Sequence, residues 1–180
     1  MYSIDPVVGA TFCGSFALLF AVAGAHKLRA RAAFAETLAG YRLLPERLVA
    51  AASVILPAFE CLVAAGLLAP VSWAPAGLAG SALLLAYAAA IGINLLRGRR
   101  HLDCGCLGPR GGGMISGALV LRNALMALAL GLTAAGHWSA RSVDWLDIGT
   151  VAGAVCAAAL LYAAMNGLIQ TADRLRPERG

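Results

Sequence analysis

Five uninterrupted apolar runs decide what this chain can fold into. They cover 7–25, 48–68, 74–96, 115–135 and 148–169. At about 1.5 Å of rise per helical residue, about twenty residues cross the roughly 30 Å hydrocarbon core of a bilayer. Only 13% of the 180 residues are charged. That is about half the share usual for a soluble domain, and the charges fall between the runs. The expectation is an all-α, polytopic membrane helical bundle of about five transmembrane helices, a four-helix core plus one. It would form a single integral-membrane domain over 1–180, with 97–114 as a loop. Gly and Ala are frequent inside the runs, as close helix packing in lipid requires. The first run has no basic leader, Asp5 being its only charge, so it reads as a retained helix rather than a signal peptide.

The basic residues alternate between connections. Lys27, Arg29, Arg31, Arg42 and Arg47 lie in the first, none in the second, and Arg97, Arg99, Arg100 and Arg110 in the third. The fourth holds only Arg141, and the tail holds Arg174, Arg176 and Arg179. Lys and Arg favour the cytoplasmic side, which places the N-terminus outside and the C-terminus in the cytoplasm of a cell with this protein in its plasma membrane. The net charge of +5 is then a matter of topology and of anionic headgroups, not of nucleic acid. Trp73, Trp138 and Trp145 fall near the outer ends of runs, where an aromatic belt is expected. Between the first two runs, Phe34, Leu38, Tyr41 and Leu44 make an apolar stripe at helical spacing, the pattern of a short interfacial helix that Pro45 ends.

Chemistry concentrates in Asp103-Cys104-Gly105-Cys106. Two thiols one residue apart in a Gly-rich loop can form a redox-active disulfide. A bridge that short is strained, and so labile and suited to exchange. The nearby arginines favour the reactive thiolate. Two other readings stay open: incidental loop cysteines, or a Cu(I) or zinc site using Cys104, Cys106, His101 and Asp103. No resident cofactor or metal is assigned. Cys13 and Cys61, each counted at about 10–12 Å from the outer end of its helix, form a candidate second thiol pair. Cys156, mid-span among alanines, reads as packing.

Glu60 lies mid-span three residues after Pro57, which can bend the helix there. An intramembrane carboxylate is a functional candidate by default. Its expected partners are Arg122 or Asn123. Glu60, His26 and Arg122 are candidates for proton handling or for shaping the site, and Lys27 reads as an interfacial anchor that snorkels to the surface.

His26-Lys27-Leu28, Tyr41-Arg42-Leu43-Leu44-Pro45, Pro57 with Glu60, Asn94-Leu95 with Arg97-Gly98-Arg99, Asp103-Cys104-Gly105-Cys106 and Leu121-Arg122-Asn123 occur in this order. The ordered set resembles the methylamine utilisation protein MauE family, itself similar to the DoxX-like group of small membrane proteins. The resemblance implies a role in maturing methylamine dehydrogenase: processing, transport or disulfide formation of its beta subunit, beside a thioredoxin-like partner of the MauD type. The alternatives are a general membrane thiol-redox protein, a non-catalytic scaffold or a metal-handling protein. A periplasmic substrate conflicts with a thiol loop that charge places inside. Re-entry of the loop, relay to Cys13 and Cys61, or inverted topology would each resolve it.

Overall fold

The computed structural model describes residues 3–99, 102, 115–138 and 141–174. The helices are α1 (Pro6–Arg29), α2 (Arg31–Tyr41), α3 (Glu46–Leu67), α4 (Trp73–Leu96), α5 (Gly117–Ala135) and α6 (Trp145–Arg174). All but α2 are long and apolar enough to cross a membrane, so the protein is a multi-pass membrane protein. The α1 helix runs on to Arg29, past the charges expected to end it, and α6 likewise exceeds its apolar run at both ends.

The core forms where α1 and α3 meet the α4–α5 hairpin. Gly80 marks that junction: a Cβ there would lie 2.8 Å from Leu130, 3.0 Å from Phe20 and 3.1 Å from Val63. Three other helices crowd onto one position, which only a missing side chain permits. The Ser81 hydroxyl donates to the Ala127 carbonyl at 2.7 Å, which fixes the antiparallel register of α4 and α5. In contrast, α6 packs mainly along α1 and stays peripheral to the core, with Gly14 of α1 facing Val155. Cys156, expected to pack, is exposed on α6, because that helix turns most of its surface outward.

Trp73 is not a belt residue. It is buried, and its indole N–H donates to the Leu67 carbonyl at 3.0 Å, closing the α3–α4 turn. Trp145 is exposed, as a belt requires. The stripe on α2 buries Phe34 and Tyr41, whereas Leu44 lies beyond the helix and is exposed. Tyr41 joins Ile91, Ile115 and Leu119 in a small apolar cluster where the C-terminal end of α4 meets the N-terminal end of α5.

At the other end, Ser3–Ile4 (β1) pairs in parallel with His137–Trp138 (β2). Asp5 caps α1 by accepting from the Val7 N–H at 2.8 Å. Arg141 bridges Asp5 at 3.2 Å and Asp147 at 2.9 Å. The Val7 N–H and then the Arg141 guanidinium hold the Asp5 carboxyl below the usual aspartate range. A carboxyl with a depressed folded pKa stabilises the fold above its unfolded value of about 3.9 and loses that effect as pH falls through the folded value. Acidification below about pH 4 is therefore expected to lower the thermal midpoint slightly in wild type, the pair being exposed. Arg141→Met should flatten that part of the acid profile, a difference readable by thermal scans in detergent.

Candidate functional site

Apolar helices that cross lipid have no use for charge except against one another, and each of the five spans here carries a charged or hydrogen-bonding side chain into the bundle. Glu60 on α3 is 1% exposed and Lys27 on α1 is 7% exposed. Their side chains form an ion pair. The Tyr87 hydroxyl of α4 donates to the same oxygen, Glu60 Oε1, at 2.7 Å. The ammonium also reaches the Tyr87 oxygen at 3.3 Å and lies 4.5 Å from the Tyr87 ring centroid and 5.3 Å from that of Phe34. Two aromatic faces and a carboxylate thus enclose one cation, which offsets the cost of taking it out of water. The second carboxylate oxygen, Oε2, has no hydrogen-bond partner among the described residues.

Backbone approach makes the pair possible. Gly24 lies against α3 so closely that a Cβ would come within 2.9 Å of the Pro57 carbonyl and 2.8 Å of the Cys61 sulfur. One turn further on, the side chain of Lys27 extends back toward the N-terminus of α1, as helical side chains do. That direction carries the ammonium into the bundle instead of to the membrane surface.

The expected partners of Glu60 are therefore corrected. Lys27 and Tyr87 hold it, and Arg122 makes other contacts. Arg122 of α5 donates to Asn166 of α6 and, at 3.4 Å, to its neighbour Asn123. Its guanidinium lies 5.4 Å from the Tyr162 ring centroid. From the Gly80–Leu130 contact, Tyr87 is seven residues along α4 and Asn123 seven residues back along α5. The two groups of polar residues thus share one level of the bundle.

His26 is not gathered into either group; it is exposed, next to the inward-pointing Lys27. Cys13 and Cys61 are not brought together. Cys61 lies against Gly24, eleven residues along α1 from Cys13, or about 16 Å by helical rise. Counting each thiol from its own helix end missed the offset that the Gly24 contact sets between α1 and α3. A relay through a Cys13–Cys61 pair is thereby removed. Cys104 and Cys106, with His101 and Asp103, lie outside the described residues. The stem of their loop is described: the Ile115 N–H donates to the Leu102 carbonyl at 3.0 Å, and Leu102 packs on the cluster around Tyr41.

Lys27 and Tyr87 were absent from the sequence-derived candidates. A usable signal existed for Lys27, the only lysine beside thirteen arginines. Where only cationic charge is wanted, either residue serves, so a solitary lysine marks a position that needs a compact ammonium.

A family model described as methylamine utilisation protein MauE matches residues 5–138. The methylamine utilization protein MauE of Paracoccus denitrificans is 36% identical over 177 residues, 96% of this chain and 94% of the relative. That of Paracoccus versutus is 39% identical over 131 residues, 72% of this chain and 70% of the relative. That of Methylorubrum extorquens is 43% identical over 126 residues, 69% and 67% of the two. No solved structure matches the chain. With most of its length matched by the family model and nearly all of it aligned to a relative, the chain belongs to the methylamine utilisation protein MauE family.

Proposed function

We propose that the protein serves methylamine utilisation from the plasma membrane, N-terminus outside and C-terminus in the cytoplasm, by maturing the beta subunit of methylamine dehydrogenase through thiol–disulfide exchange. Family membership supports the pathway. The observation that supports the chemistry is Cys104-Gly105-Cys106, borne on a loop whose stem is fastened at Leu102 and Ile115 to the inner ends of α4 and α5.

In the step, a thiolate of the subunit attacks the Cys104–Cys106 disulfide, forming a mixed disulfide and releasing one loop thiolate. A second subunit thiolate resolves the mixed bond. The subunit gains a disulfide, and two electrons and two protons end on Cys104 and Cys106. The disulfide of a thioredoxin-like partner then reoxidises the loop by the same exchange in reverse roles. Glu60, with Lys27 and Tyr87, holds α1, α3 and α4 in register beneath the loop stem, and Arg122 ties α5 to α6. Both are positioning roles.

The test is Cys104→Ser combined with Cys106→Ser in a methylamine-grown host. The expected result is accumulation of beta subunit with free thiols and loss of active methylamine dehydrogenase. Maturation that proceeds normally would sink the exchange mechanism and leave a scaffold role. Stoichiometric copper or zinc on the purified wild type, lost with the same substitutions, would point to metal handling.

A further inference from the structure

The second polar group carries a different chemistry from the first. Lys27 and Glu60 cancel each other's charge; Arg122 does not meet a carboxylate among the described residues. It is 6% exposed, with Asn123 at 4% and Asn166 at 5%. Both asparagines turn their oxygens to the guanidinium, the only orientation that avoids donor facing donor. Their amide nitrogens are then left over, and among the described residues neither Asn123 Nδ2 nor Asn166 Nδ2 has a partner. Arg122 Nε lacks one as well. All three unsatisfied groups are donors, one of them on a guanidinium that meets no carboxylate among the described residues and the other two on the asparagines bonded to it.

An unpaired charge in a low-dielectric interior is strongly unfavourable, and so is each buried donor left without an acceptor. One ligand class answers both needs: an oxyanion, with several acceptor lone pairs and a negative charge. The location suits such a ligand. Arg122 is five residues into α5 from Gly117, about 8 Å by helical rise, so it lies within reach of the membrane surface at that end of the helix, the inner one in the orientation proposed above. The α5–α6 seam is closed mainly by Arg122 with Asn166 and Tyr162, since α6 otherwise packs along α1. A ligand can therefore enter sideways by parting side chains rather than helices.

We propose that Arg122, Asn123 and Asn166 form an oxyanion-binding site at the α5–α6 seam, occupied by the phosphate of an anionic lipid headgroup or by a small free phosphate. Arg122 supplies the charge and the Nε–H, and the two amides supply the remaining donors. The site is independent of the thiol chemistry and persists if that chemistry is disproved.

The experiment is native mass spectrometry of the full chain released from micelles containing phosphatidylglycerol and phosphatidylcholine, with a parallel titration of inorganic phosphate followed by thermal shift. Wild type is expected to retain phosphatidylglycerol over phosphatidylcholine by about tenfold, because the phosphate of phosphatidylcholine is already neutralised by its own choline cation and brings Arg122 no net negative charge. Stabilisation by inorganic phosphate alone, without lipid preference, would identify the free anion as occupant. The decisive variant is Asn166→Asp, which places a carboxylate beside Arg122 and so folds without an external anion. It should reduce the preference to about twofold or less and abolish the phosphate-induced shift. Arg122→Lys, which keeps the charge and loses the Nε–H, should weaken binding while still favouring the anion. The absence of both lipid preference and phosphate stabilisation in wild type, or an undiminished response in Asn166→Asp, overturns the proposal.

Discussion

Lys27→Met is expected to destabilise the bundle by about 3–5 kcal/mol, and Glu60→Gln added to it should recover most of that loss. The single substitution removes the ammonium from a carboxylate that is 1% exposed and leaves Tyr87 as its only hydrogen-bond donor among the described residues. Lipid cannot replace the missing charge. In the double variant the amide introduced at position 60 can still accept from the Tyr87 hydroxyl, and no buried charge remains. The reverse single substitution, Glu60→Gln, should also be costly, because Lys27 then keeps only the Tyr87 oxygen and two aromatic faces. A double-mutant cycle read by unfolding in mixed micelles gives the coupling directly. If the two single losses simply add, the pair contributes nothing through its charge, and the arrangement is one of packing alone.

The second large effect is at Gly24. Gly24→Ala is expected to cost about 1–3 kcal/mol, even though alanine is the better helix former. The new methyl group would lie 2.9 Å from the Pro57 carbonyl and 3.3 Å from the Glu60 Cβ, and a helix backbone cannot rotate aside as a flexible side-chain end can. Helix α1 must then move off α3, and the movement lengthens the Lys27–Glu60 contact one turn away. Gly92→Ala is the control, since no described residue lies within 4 Å of a Cβ there. It should be neutral or slightly stabilising. Equal losses at both positions would mean that helix flexibility, not the close approach, sets the effect.

The spans were legible because lipid imposes a length and a polarity that few sequences meet by chance; α1, α3, α4, α5 and α6 overlap the five apolar runs. The short helix α2 was legible from its spacing, since Phe34 and Tyr41 recur at helical intervals and both are buried. Glu60 stood out as a carboxylate in an apolar run. What one-dimensional reading could not supply was the offset between helices. That offset depends on Gly24 meeting the Pro57–Cys61 turn of α3, and it decides both that Lys27 reaches Glu60 and that Cys13 misses Cys61. Trp73 was misassigned for a related reason: a tryptophan at a helix end serves a belt or a turn equally well, and the Leu67 carbonyl decides between them.

The family match ends at 138, just before α6 begins. The four-span unit α1, α3, α4 and α5 thus coincides with the segment the family model describes. The fifth span attaches along α1 and supplies Asn166 and Tyr162 to Arg122.

A chain with one lysine also responds to chemical modification in an unusually simple way. Apart from the α-amino group, every amine-directed reagent has a single target, and that target is enclosed by Glu60, Tyr87 and Phe34. The rate at which Lys27 becomes acylated therefore follows the separation of α1 from α3. The protein carries its own reporter of bundle opening, with no label to introduce.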